Sequence, residues 1–155
     1  MASTLGIRNN NPGNLVWFPG AEWKGLAKPP YRGRFCVFVE PLDGIRALIM
    51  QIFYDHYRHG KNTIAEVIAT WAPPFENNTN AYIDAVASYV GHYAWEQIDF
   101  TDKGLIIGMA QAIVREENGL VPYPYSLFDL AADQAYYAFN IAPRRMAPPE
   151  ENSNG

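Results

Sequence analysis

The sequence is poor in the residue types that build redox and metal chemistry. Cys36 is the only cysteine among 155 residues, so no disulfide closes within the chain and no thiolate metal site is available. His56 and His59 are three apart and can share a helix face. No third ligand stands near them or near His92, so neither a metal nor a cofactor is expected. Charge is also scarce. Only 18% of residues are charged and the net charge is −4. Such a chain has no electrostatic basis for binding nucleic acid or an anionic membrane. No apolar run approaches the roughly 20 residues of a membrane span, and Met1 to Arg8 lacks the apolar core of a signal peptide. The expectation is synthesis in a cytoplasm without a signal peptide and no membrane insertion. A protein of this kind that acts outside the cytoplasm needs another carrier.

Hydrophobic residues make up 48% of the chain and aromatic residues 14%. The length suits one domain with a genuine core. Aromatics and amides in a weakly charged chain suit a sugar-like or peptide-like ligand.

The chain opens with turn chemistry. Arg8-Asn9-Asn10-Asn11-Pro12-Gly13-Asn14 cannot be helix interior. The spacing predicts a short strand over 15–18, a turn over 20–25, and a Pro/Gly-rich stretch over 28–34. Phe35-Cys36-Val37-Phe38-Val39 is the clearest strand. Helices follow. Pro41 suits a first helical turn. Ile45, Leu48, Ile49, Ile52 and Phe53 then keep helical spacing to about Tyr57, before Gly60 stops it. Asn62 or Thr63 caps a second helix to about Thr70. A third runs over about 80–90, a fourth from Thr101 or Asp102 to Glu117, and a fifth over about 127–138, capped by Ser126 or Asp129. From Ala142 the Pro/Glu/Asn-rich tail, 142–155, reads as disordered. The sequence thus predicts an α+β, mainly α, single domain over 1–141, with a small N-terminal β region and about five helices.

One helix end stands out. Leu105, Ile106, Met109, Ala110, Ala112, Ile113 and Val114 imply near all-round burial. The helix then meets Glu116 and Glu117, and ends at Asn118-Gly119, which readily take the left-handed conformation. A carboxyl group at a helix C-terminus, in apolar surroundings, tends to hold its proton. A carboxylic acid protonated near neutral pH is a general acid.

These residues carry two resemblances. Asn10-Asn11-Pro12-Gly13-Asn14, Trp23-Lys24-Gly25, Phe35-x-x-Phe38 and Pro41-x-x-Gly44 resemble a segment of lysozyme-like cell-wall hydrolases of the flagellar and autolysin glucosaminidase kind. That segment follows a catalytic helix ending in a glutamate. Here the helix ending at Glu117 looks like it, at the other end of the chain, which implies a circularly permuted lysozyme-like fold. The chain is also similar, over about 6–125, to a phage family opening with Gly-Ile-Arg-Asn-Asn-Asn-Pro-Gly-Asn. The shared wording is Gly6 to Asn14, Trp71 to Pro73, Glu76 to Thr79 with Tyr82, and Glu117 to Tyr123. Members are described as phage structural or virion proteins.

The resemblance implies a phage-encoded, peptidoglycan-cleaving glycosidase. Its partners would be glycan strands of the periplasm or cell wall, reached in the phage particle or by release at lysis. Glu117 would act as general acid/base. A hydrolase normally adds a second carboxylate, roughly 5–5.5 Å or 6.5–9.5 Å away, whereas a lytic transglycosylase needs one. The glucosaminidases carry their second glutamate between the Trp-Lys-Gly turn and the Phe-x-x-Phe strand. Leu26 to Arg34 contains no acid here. Glu76 is the best substitute, ahead of Glu22 and Glu40. Candidate substrate-binding residues are Arg8, Asn10, Asn11, Asn14, Trp71, Asn77, Asn78, Tyr82, Asn118 and Tyr123. Amides hydrogen-bond N-acetyl and hydroxyl groups without charge, and aromatics stack on sugar faces. Two alternatives stand beside this reading. One is a non-catalytic virion or tail protein with a glycan-binding fold. The other is an N-acetylglucosaminidase with a different second acid.

Overall fold

Helix α5 (Lys103–Asn118) is the element the rest packs around. In the computed structural model, which describes residues 3–72 and 78–144, nine of its side chains are buried, from Leu105 to Asn118. The Asp102 carboxylate caps it, accepting the Leu105 amide at 3.2 Å. Gly119, with φ +81°, ends it. Against α5 lie α4 (Thr79–Val90), α6 (Tyr125–Ala138) and α2 (Pro41–Phe53), with α3 (Ile64–Trp71) on α4. Lys103 ties α5 to α6 through Asp129 and Asp133, at 2.7 and 2.6 Å.

Local chemistry explains where these helices begin. Pro41 opens α2, and Glu40 and Asp43 exchange capping hydrogen bonds there. Thr63 caps α3 by accepting the Glu66 amide. Helix α6 starts two residues earlier than the sequence predicts, after Pro124. Neither Ser126 nor Asp129 caps it, because Pro124 already sets an extended entry and Asp129 is held by Lys103. The helical run after Phe53 does reach the Tyr57 region, but as a π turn, Tyr54–Arg58.

The N-terminal region departs further from expectation. Leu5–Arg8 forms one helical turn, α1. The strand expected over 15–18 is a single bridge, Val16 to Phe35. The Pro-rich stretch is not a loop: Leu26–Arg32 forms β1, antiparallel to β2 (Phe35–Phe38). A two-stranded sheet leaves β1 an open side, and the pairing is irregular between Leu26 and Tyr31, where both prolines fall. Leu15, Cys36, Phe38 and Ala47 form a small second core under this hairpin, and Trp71 packs on both cores. Burial pushes the Cys36 thiol up to about 11 against its backbone hydrogen bond, so it is an inert packing residue. The fold is α+β and mainly α, with five helices longer than a single turn among the described residues.

Of the tail expected from residue 142, Ala142 to Arg144 are among the described residues. The Arg144 amide donates to the Thr101 carbonyl at 2.7 Å, and its guanidinium pairs with Asp99 and Asp102. Residues 145–155 lie outside the described residues.

The tightest approach joins the N-terminal loop to α2. A Cβ on Gly44 would collide with the Asn10 backbone carbonyl. Backbone cannot step aside as a flexible side chain does. Gly44→Ala is expected to cost about 3 kcal/mol or more, read as a lowered midpoint in thermal or denaturant unfolding.

Candidate functional site

The last turn of α5 meets the asparagine-rich loop. The Asn14 amide donates to the Glu117 carboxylate at 3.0 Å, across 103 residues of chain. Glu117 is half-buried there, while Glu116 is exposed. Asn118 makes this junction. It is 6% exposed. Its Nδ2 donates to the Pro12 carbonyl at 2.8 Å and to the Val114 carbonyl at 3.0 Å. Its Oδ1 accepts the Thr4 hydroxyl. Gly6 permits the closeness, since a Cβ there would lie 2.6 Å from Asn118 Oδ1 and 2.9 Å from Asn14 Oδ1. The Trp71 indole donates to the Gly13 carbonyl at 2.9 Å and holds the far side of the loop. Asn10 and Asn14 both take positive φ, +51° and +50°, which asparagine tolerates better than most residues.

Two further groups face the junction. The Tyr82 hydroxyl is buried, and its polar neighbour is the Glu117 carboxyl group. Burial first, then Glu117 and Glu116, raise its pKa far above the ordinary phenol value. It therefore stays a neutral O–H donor beside Glu117. Asn14 Oδ1 is likewise buried and has no hydrogen-bond partner among the described residues. One carboxyl group, one phenol and one amide can hold and pass a proton and orient an uncharged ligand. Tyr123, with its hydroxyl likewise buried and its pKa raised by burial, packs against Phe128.

Other candidates serve the scaffold. Asn11 is fully buried. Its Nδ2 donates to the Leu15 and Cys36 carbonyls, and its Oδ1 accepts the Leu15 amide. No part of it remains for a ligand. Asn118 is consumed in the same way. The Asn10 side chain donates to the Phe38 and Val39 carbonyls at 3.2 and 3.1 Å. These three amides fold the loop rather than line a site. Arg8 is exposed. Asn78 is exposed, in a left-handed conformation before α4. Glu76 and Asn77 lie outside the described residues. Glu22 and Glu40 are exposed, Glu22 on the rim of a cavity and Glu40 as a helix cap.

Asn14 also borders a groove. A cavity of 230 Å³ is lined by Asn14, Leu15, Trp23, Gln51, Thr70 and Trp71, among others. It shares Phe18, Trp23 and Gln51 with a cavity of 790 Å³ that extends to Tyr54, Gln134 and Tyr137. Behind the shared wall lies Asp55, 3% exposed. Gln51 Nε2 donates to one of its oxygens at 3.0 Å, and Thr70 Oγ1 stands 2.7 Å from the other and 2.7 Å from the Val67 carbonyl, sharing its one hydrogen between them. Burial raises the Asp55 pKa, against these hydrogen bonds and the charges of His59 and Lys61. Gln51, Asp55 and Thr70 do not stand out in the sequence as site residues. The signal was there: Asp55 follows Ile52 by three residues and so continues the buried stripe of α2.

Two outcomes follow from this packing. Asn118→Ala strands the Pro12 carbonyl and frees Thr4, and is expected to cost about 2–4 kcal/mol in denaturant unfolding. Asp55 has a folded-state pKa above its unfolded value, so the folded state binds its proton more tightly. Its contribution to stability is fully present below the ordinary value of 3.8 and declines as pH rises through the elevated folded pKa. Thermal midpoints of wild type and Asp55→Asn, compared across that window, are expected to shift in the variant's favour with rising pH.

No protein-family model matches the chain. Over 134 residues it is 31% identical to protein P5 of Pseudoalteromonas phage PM2, an alignment covering 85% of this chain and 82% of that protein. The chain therefore belongs to the family of that phage P5 protein.

Proposed function

We propose that this phage-family protein cleaves the β-1,4 bonds between N-acetylmuramic acid and N-acetylglucosamine in peptidoglycan, on a lysozyme-like fold, with Glu117 as the general acid/base. The observation that carries the reading is the Asn14–Glu117 hydrogen bond. It joins the two stretches whose wording resembles muralytic enzymes, and it does so at the edge of a groove.

In this reading Glu117 donates its proton to the leaving glycosidic oxygen as the bond to the anomeric carbon breaks. In a lytic transglycosylase the muramic acid's own 6-hydroxyl then attacks that carbon. Its proton returns to the Glu117 carboxylate, and a 1,6-anhydro ring closes. One carboxyl group suffices for both steps. In a muramidase, water takes the place of the hydroxyl and a second acid assists it, for which Glu76 is the candidate. Asn14 fixes the carboxyl rotamer through Oε1. Tyr82, kept neutral, offers a proton to charge developing beside Glu117.

A second reading is a virion component that binds glycan without cutting it. It is favoured by the position of the two cavities, neither of whose walls includes Glu117.

Incubation of purified sacculi with the protein, followed by mass spectrometry of the released fragments, separates the readings. Anhydro-muramic ends identify a transglycosylase, a muramic reducing end a muramidase, and a glucosamine reducing end an N-acetylglucosaminidase. Absence of fragments identifies the binding protein. Glu117→Gln is expected to lower turnover at least about 100-fold while the thermal midpoint holds, because the glutamine oxygen still accepts from Asn14. Undiminished turnover in that variant removes Glu117 from the mechanism.

A further inference from the structure

Gln51 is the one side chain amide that lines both cavities of the groove. Its orientation is dictated from behind. Asp55 Oδ1 accepts from Gln51 Nε2 at 3.0 Å and so fixes the NH₂ end of the amide toward itself. That leaves Gln51 Oε1 as a pre-oriented acceptor. Thr70 holds the other oxygen of Asp55 and stands on the wall of the smaller cavity. The carboxylate is thus braced between α2 and α3 and cannot swing away. Trp23 and Trp71 supply aromatic surface in the same groove.

We propose that Gln51, oriented by Asp55 and Thr70, forms a subsite for the acetamido group of an N-acetylhexosamine. The ligand N–H donates to Gln51 Oε1, while a tryptophan face covers the acetyl methyl or the sugar ring. A fixed acceptor selects for an N–H donor, and the aromatic surface selects for the apolar acetyl group beside it. Asp55 is a positioning residue here, since it is too buried to touch the ligand. The inference rests on the glycan reading above and deepens it. It explains why a carboxylate lies under a groove wall at a π turn, a type of helical irregularity that often marks functional positions.

Titration of the full chain with tetra-N-acetylchitotetraose and with its de-N-acetylated counterpart, followed by calorimetry or tryptophan fluorescence, tests the subsite. The wild type is expected to bind the acetylated oligomer more tightly. Gln51→Leu, close in volume and without the acceptor, is expected to weaken that binding about tenfold. Asp55→Asn is expected to lose the discrimination between the two oligomers, because asparagine can meet either end of the Gln51 amide. If Asp55→Asn does not fold, Gln51→Leu decides alone. A wild type that binds neither oligomer, or variants that bind both as the wild type does, overturn the subsite. Glu117→Gln separates this proposal from the catalytic one. Selective binding with no cleavage of sacculi by the wild type sinks the enzyme and keeps the subsite. Cleavage with an unchanged KM in Gln51→Leu sinks the subsite and keeps the enzyme.

Discussion

The arrangement depends on one buried amide. Asn118 closes the C-terminal end of α5 and, with the same side chain, takes hold of the Pro12 carbonyl and the Thr4 hydroxyl. It holds the N-terminal loop on α5 together with the Asn14–Glu117 hydrogen bond. A backbone carbonyl buried without a partner costs about 1–3 kcal/mol, so the contact specifies a location as well as contributing stability. Everything polar at the junction inherits its position from that choice, the Asn14–Glu117 hydrogen bond included.

The junction uses chemically similar residues for different tasks. Asn10 and Asn11 spend their amides on the strand and the small core. Asn118 spends its amide on the loop. Asn14 spends only its NH₂ group, on Glu117, and keeps an acceptor. The same division runs through the carboxylates. Glu40 and Asp102 cap helices. Asp129 and Asp133 hold Lys103. Asp55 is buried and braces a groove wall. Glu117 meets an amide and a neutral phenol at the end of α5. Residue type announces what a side chain can do, and packing decides which of those things remains available.

Much of the secondary structure was legible because its signals are local. Apolar spacing and caps placed α2, α3, α4 and α5 close to where they stand. The failures have local causes too. The Pro/Gly-rich stretch over 28–34 carries no strand signal of its own, yet β1 runs through it, because its open side and irregular register tolerate the two prolines. Pro124 replaced the expected side-chain cap of α6. Arg144 is anchored by Asp99 and Asp102, partners that lie far from it in sequence and leave no mark on the composition of the tail.

The sequence alone determined that this chain is mainly helical, that a greasy helix ends in Glu116-Glu117-Asn118-Gly119, and that an asparagine-rich turn opens the fold. Those are properties of spacing and of intrinsic conformational preference. Only tertiary structure decided which asparagine meets Glu117, which ones disappear into the scaffold, and that Asp55 stands behind a groove wall. A hydrogen bond across 103 residues has no periodicity to reveal it. It exists because burying the end of α5 required partners for its polar groups, and the loop brought by α1 supplied them.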